Sequence, residues 1–430
     1  MRDVWNTESL TALDKSHIWH PFTQMKDWCA PDHEPLVLVG GEGAILRDSR
    51  GREYLDGNSS IWTNIHGHRH PAITRAIHEQ LDRIAHVSFL GTTNAPAAEL
   101  AGRLVALFPP QTLSRVFFSD DGSTAVEAAM KMAVQFRQLS GEPERTRFVA
   151  FDHAYHGDTA GAASLGGIGT FHARFAGHQF PVDRISAPAD LDRLPVEKIA
   201  AVVIEPLIQG AAGMRPWPRG MLRELREKCD LCGIHLILDE VLTGFGRTGR
   251  MFACEHENVI PDFLCLAKGL TGGYLPLAAT IANEKIFSAF LGDFSDRKTF
   301  FYGHSYTGNP LGCAAALASL DVFHDENVLE NLQPKIATMT RLLNGLKELR
   351  SVFEVRQCGF MGGIEVRRPD GVPFPWQERI GGRICDAARK HGLLTRPVLD
   401  TIVLMPPLCT TEAQLENAAT AIRRAIMDVC

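Results

Sequence analysis

The stretch from Leu236 to Gly273 constrains this chain more than any other. It opens on LILDEVLTGFGRTG, an apolar run closed by two carboxylates, and after a bridge continues as PDFLCLAKGLTGG, a second apolar run closed by one lysine. Short apolar runs bounded by turn signals fit strands of a parallel sheet buried on both faces, and the polar residue that ends each run emerges at the rim of the sheet. Asp239 and Lys268 are thus placed at strand ends. A lysine in that position is partly desolvated, which lowers its pKa and frees the amine to form a Schiff base with a carbonyl.

An imine-forming lysine and an acid that pairs with a pyridinium nitrogen are the two protein groups that pyridoxal phosphate chemistry requires. An Asp-Glu pair after an apolar run is by itself an ordinary strand end or cap; the pairing with Lys268 gives it meaning. The same stretch contains G-x-G-x-x-G at Gly244, Gly246 and Gly249. A dinucleotide fingerprint needs a helix there, and none is signalled: Arg247-Thr248-Gly249-Arg250 reads as an exposed loop.

Around this centre the pattern alternates. Strand-like runs at 115–119, 148–151, 200–205, 235–239 and 263–266 are interleaved with helical or irregular stretches, as in a parallel sheet whose ligand sits at the carboxyl ends of the strands. The first run leads into DDGSTAVEAAMKMAVQFRQLSG. Gly122 permits close backbone approach, Ser123 is a favourable N-cap, and the helix that follows to about Leu139 presents free N–H groups to an anion. Tyr155 and His156 follow the second run, where an aromatic could cover a flat ring.

Before this region, residues 1 to about 70 read as an arm with short strands at 35–39, 44–47 and 53–55. His66, His68 and His70 alternate, but Gly67 and Pro71 make the segment a turn entering a helix, and no metal is expected there. Helical periodicity follows at Ile73 to Ile84 and Leu100 to Leu107. After Lys268, helical patterns at 314–323 and 332–349 lead to strands near 354–357, 363–366 and 402–405, and Thr411-x-x-Gln414 opens a last helix.

These segments resemble the class III (ω-amino) aminotransferases, fold type I pyridoxal phosphate enzymes, over nearly the whole chain. HIWHPFTQMKDW, LDGNSSIWTNIHGHRHP, AYHGDT, FYGHSYTGNP and TRPVLDTIVLMPP are similar to one branch, the 8-amino-7-oxononanoate aminotransferases of biotin synthesis. The resemblance implies an α/β fold with a large, mostly parallel sheet and a smaller C-terminal α/β domain. It makes Lys268 and Asp239 catalytic, with Tyr155 over the cofactor ring. Gly122, Ser123 and Ser305 become phosphate ligands, the last offered across a homodimer interface. Arg396 would take the substrate carboxylate, with Phe22, Ile61, Trp62 and Gly303 lining the substrate side.

The donor is where the chain departs from the commoner pattern. Relatives that use S-adenosylmethionine typically carry HPYT and SSWW, whereas Phe22 and Ile61 stand here in place of the Tyr and the first Trp. Losing the hydroxyl and a stacking surface favours a slimmer donor, and a similar branch uses L-lysine. Both donors remain open at this point. The rivals are a broad ω-amino acid or diamine aminotransferase, and a non-catalytic effector-binding protein of the same fold.

A chain of 430 residues is long enough for two cores. The expected division is an arm at 1–70, a cofactor domain at 71–320 and a small domain at 321–430. A net charge of -6 provides no basic field for nucleic acid. The amino-terminal residues lack the apolar core of a signal peptide, and no apolar run could span a membrane, which points to a cytoplasmic enzyme. Of the ten cysteines, Cys229-x-x-Cys232 lies on a helical pattern without a second pair, so packing is the expected role.

Overall fold

The structure, a computed structural model, describes residues 6–430. Its centre is a seven-stranded sheet of β1 (Leu113–Ser119), β2 (Arg147–Phe151), β3 (Asp183–Ile185), β4 (Ile199–Ile204), β5 (His235–Asp239), β6 (Phe263–Leu266) and β7 (Ala278–Asn283). The spatial order is β1-β7-β6-β5-β4-β2-β3. Six strands run one way, and β7 alone lies antiparallel, between β1 and β6. Every residue of β4, β5 and β6 is buried, which is why these strands show unbroken apolar runs and no alternation.

Helix α1 (Gly122–Leu139) covers one face of the sheet. Its small residues Ala125, Ala129 and Ala133 pack with Ala150, Ala201, Val203, Ile237 and Cys265, so the helix lies close to the strands. This proximity sets its first turn beside the carboxyl ends of β2 and β5.

Five of the seven strands match the sequence expectation, and β3 and β7 were not foreseen. AATIAN, the sequence of β7, carries only Thr280 and Ile281 as β-branched residues, a weak local signal. Pairing on both edges decides its conformation. Thr280 sits opposite Cys265 on one side and Phe117 on the other.

The amino-terminal segment contains a helix at Thr7–His17, capped by Asn6, where only an arm was expected. Its first strand begins at Leu38, not Pro35, and runs to Glu42. It pairs with Ile45–Asp48, which pairs with Glu53–Asp56. Leu393–Leu394 completes this sheet by running parallel to Glu53–Asp56, with Leu393 opposite Leu55. A further sheet is built from Val352–Cys358, Met361–Val366, Thr401–Leu404 and Pro397–Val398. The last helix, Glu412–Val429, opens on the expected reciprocal cap: Gln414 N–H donates to Thr411 Oγ1 at 3.2 Å, and Thr411 N–H to Gln414 Oε1 at 2.9 Å.

The remaining motifs resolve locally. Cys229 and Cys232 lie on the helix Met221–Cys232, and Cys229 is in the core, its thiol pushed up to about 12 by burial. The three alternating histidines take three separate partners: His66 meets Ser319, His68 meets Asp56 and His70 meets Glu326. No helix of the described residues is long and apolar enough to cross a membrane.

Candidate active site

The carboxyl ends of β1, β2, β4, β5 and β6 deliver Gly122, Tyr155, Glu205, Asp239 and Lys268 to one rim of the sheet. Lys268 follows β6 after Ala267 and takes a left-handed conformation, φ 42°, a geometry that costs a non-glycine residue about 1–3 kcal/mol and persists only when its surroundings impose it. The next residue must be glycine: a Cβ at Gly269 would stand 2.8 Å from Ile65 Cγ1 and 3.0 Å from Phe245 Cβ. Burial lowers the pKa of the Lys268 amine, and the charges of Asp239 and Glu205 oppose that. Nζ lies 4.9 Å from the centroid of the Trp62 ring.

Asp239 is buried and held on both oxygens. Its Oδ2 is 2.8 Å from His156 Nδ1, and its Oδ1 accepts from Val241 N–H at 3.1 Å. His156 Nε2 is buried with no partner among the described residues. The pair forms a rigid acidic contact at the floor of the rim.

Glu205, at the end of β4, went unrecognised in the sequence as part of the site. Its carboxyl accepts from Tyr155 N–H at 3.0 Å and from Gly210 N–H at 3.0 Å. Burial pushes it up to about 7, against the charge of His156 and with that of Asp239. The available signal was an acid closing the apolar run IAAVVIEP, the same pattern that exposes Asp239.

Tyr155 is half-buried. Its hydroxyl donates to Asp158 Oδ2 at 2.8 Å, its ring lies parallel to His172 at 6.0 Å, and burial raises its pKa. Phe171 touches Tyr155 edge-on at 6.1 Å and Phe22 at 5.6 Å. The exposed Phe22 is thereby linked to the Tyr155 side of the rim.

At the start of α1 the cap differs from expectation. Asp121, not Ser123, is the N-cap, accepting from Thr124 N–H at 2.9 Å. The aspartate just before Gly122 reaches the third N–H of the helix, which leaves Ser123 Oγ free to accept from Asp158 N–H at 3.2 Å. The Gly122 and Ser123 N–H groups, in the first turn, have no intrahelical acceptor. Gly157, φ 126°, backs onto them: a Cβ there would fall 2.1 Å from Ser123 Oγ. These residues form a cradle that fits an anion at a helix N-terminus.

The segment 241–250 is a turn with no helix at Gly249, as expected, but Arg247 and Thr248 are not exposed. Arg247 is fully buried, donating from Nη1 to Pro406 O at 2.7 Å. Burial lowers its pKa to about 9, opposed by the charge of Asp56. A loop was expected to be solvated because the sequence gives no sign of the 406–408 segment that folds over it.

Other expected site residues are not gathered by this single chain. Gly303 and Ser305 lie on an exposed loop, tied to the rim through His304, whose Nδ1 is 3.2 Å from Asp120 Oδ2. Arg396 is exposed and forms no ion pair among the described residues. Ile61 is 47% exposed, whereas Trp62 is buried.

A buried lysine, a histidine-braced aspartate and a glycine-lined helix N-terminus at one sheet rim suit an aromatic aldehyde phosphate. The aminotransferase class-III family model matches residues 29–426. The chain belongs to this family. It is 50% identical over 449 aligned residues to the adenosylmethionine-8-amino-7-oxononanoate aminotransferase of Nitratidesulfovibrio vulgaris, covering 98% of this chain and 82% of that one. The crystal structure of the enzyme of that name from Methanocaldococcus jannaschii superposes with TM-score 0.95 at 42% identity, covering 99% and 100% of the two chains. A PLP-bound amine transaminase from an uncultivated Pseudomonas species superposes with TM-score 0.89 at 34% identity, covering 96% and 99%. The chain is a fold type I, pyridoxal phosphate-dependent aminotransferase.

Proposed function

We propose that this aminotransferase converts 8-amino-7-oxononanoate to 7,8-diaminononanoate in biotin biosynthesis. The observation that carries the proposal is identity of 44–50% over nearly the full chain to relatives named for that acceptor, together with the lysine, aspartate and anion cradle at one rim. The intact pair of Lys268 and Asp239 argues against a non-catalytic effector-binding protein.

When bound, pyridoxal phosphate supplies a reactive aldehyde carbon and an electron-withdrawing ring. Lys268 would hold that carbon, and burial, which lowers the pKa of its amine, would suit it to take up and deliver a proton at the substrate carbon. Asp239 would keep a proton on the ring nitrogen, its carboxylate fixed in place by His156. Gly122 and Ser123 would receive the phosphate and Tyr155 would cover the ring, while Glu205 holds the Tyr155 backbone. Arg396, exposed and without an ion pair among the described residues, would take the carboxylate of the acceptor, for which a planar guanidinium is suited. The exposed Gly303–Ser305 loop supports a homodimer in which Ser305 would complete the phosphate site of the partner.

Phe22, Ile61 and Trp62 would line the donor side. The relatives are named for adenosylmethionine, whereas Ile61 offers no aromatic face to an adenosyl group, a contact worth about 0.5–1.5 kcal/mol beyond burial. L-Lysine loses little by that exchange. The test is a single-turnover screen of both donors followed by the acceptor. Product with L-lysine, and a shift of kcat/KM toward S-adenosylmethionine in Phe22→Tyr/Ile61→Trp, is the expected result. Bleaching by S-adenosylmethionine and none by millimolar lysine returns the donor to adenosylmethionine. The structural likeness to amine transaminases favours a second reading, a broad ω-amino acid or diamine aminotransferase. Turnover of β-alanine or putrescine without the oxononanoate would establish it.

A further inference from the structure

Residues 58–62 carry an unusual backbone. Ser59, Ser60 and Trp62 have φ of 46°, 62° and 67°, and Ser60 combines its φ with ψ -87°. None is a glycine, so the conformation must be held from outside the turn. Ser59 and Trp62 are buried, and Ile61 between them faces solvent.

One carboxylate does most of the holding. Asp56 is 1% exposed. Its Oδ1 accepts from Asn58 N–H at 3.2 Å and Ser60 N–H at 3.0 Å, and its Oδ2 from Ser60 N–H at 2.8 Å. His68 Nε2 fills the remaining position at 2.9 Å from Oδ2. Asp56 thus grips the most strained residue of the turn with both oxygens, while His68, the middle of the three alternating histidines, fixes the carboxylate.

The turn delivers the Trp62 side chain to the lysine. Trp62 donates from Nε1 to Asn58 Oδ1 at 2.9 Å and lies against Leu242 and Ile208. Its ring reaches to 4.9 Å from Lys268 Nζ. The other end is tied by Ser59 Oγ to Met405 O at 2.7 Å. A shift of the turn moves Ile61 and Trp62 together.

We propose that Asp56, braced by His68, is a positioning residue that sets the donor-side wall by holding the turn that carries Ile61 and places Trp62 beside Lys268. It touches neither Lys268 nor the anion cradle. The proposal rests on the aminotransferase reading of the site, and its consequence is a discrimination between donors that depends on residues outside the contact surface.

The test uses the full-length holoenzyme with its six tryptophans replaced by 5-fluorotryptophan, the Trp62 resonance being assigned with Trp62→Phe. Asp56→Asn keeps the size and loses the charge; His68→Phe removes the hydrogen bond; His68→Gln keeps a donor. In Asp56→Asn and His68→Phe the Trp62 fluorine resonance should shift or broaden while the others stay. The donor half-reaction should lose about tenfold in kcat/KM, with the acceptor half-reaction within about twofold. His68→Gln should restore the wild-type resonance. An unmoved Trp62 resonance in folded Asp56→Asn overturns the proposal, as does equal loss in both half-reactions. Should Asp56→Asn fail to fold, His68→Phe against His68→Gln decides by the same resonance. The resonance reports the position of the ring whichever amine the enzyme accepts, so failure of the substrate assignment would appear as absent turnover with the resonance response intact.

Discussion

Glu205→Gln offers a measurable test of how burial governs the rim. The wild-type carboxyl moves from an ordinary 4.5 to about 7 because burial penalises its charged form. At about 1.36 kcal/mol per pKa unit, that interval amounts to about 3 kcal/mol. The protonated form is favoured by folding, so the stabilisation is complete below pH 4.5 and is lost as pH rises to about 7. The amide of the variant does not titrate. Unfolding of apoprotein followed from about pH 4 to about pH 8 should therefore show the wild type losing about 3 kcal/mol relative to the variant. For 430 residues unfolding as one unit, an entropy of about 2.1 cal/mol/K per residue converts this to a divergence of about 3–4 °C in Tm. Parallel curves across that range would refute the reasoning, since they would show that Glu205 keeps its charge in the fold at no cost.

Two further predictions concern ligand contacts. Gly157→Ala, which forces a Cβ onto Ser123 Oγ and strains a φ of 126°, should weaken pyridoxal phosphate binding at least about tenfold in an equilibrium titration. Gly169→Ala, with open space around its Cβ, should bind within about twofold of wild type. Arg396→Ala should raise KM for the oxononanoate about tenfold to hundredfold, the worth of a charged hydrogen bond, with a much smaller effect on an adenosylmethionine half-reaction. Unchanged acceptor kinetics would move the carboxylate site elsewhere.

What could be read from the sequence followed the reach of each interaction. Asp239 and Lys268 were legible because strands buried on both faces leave continuous apolar runs, and the polar residue at the end of each run stands out. Glu205 obeys the same rule and was passed over as a strand end, since only its hydrogen bonds to Tyr155 and Gly210 distinguish it. β7 escaped because its conformation comes from two neighbours distant in sequence. The strained turn at 58–62 combines both reaches: Asp56 holds it from four residues away, and Met405, 346 residues after Ser59, ties its other end. Arg247 shows the reverse error. The lack of a helical pattern suggested an exposed loop, and a segment 159 residues later, following a strand of a different sheet, buries the guanidinium.

The central claim is that Lys268 is the residue that carries the cofactor, and borohydride reduction tests it most directly. The purified enzyme should be yellow, lose its visible absorption on reduction, and retain the cofactor through denaturation. Tryptic mapping should then place the added mass on the peptide Met251–Lys285, uncleaved at Lys268. Label on any other lysine, or a colourless protein that takes up no pyridoxal phosphate, would contradict the account.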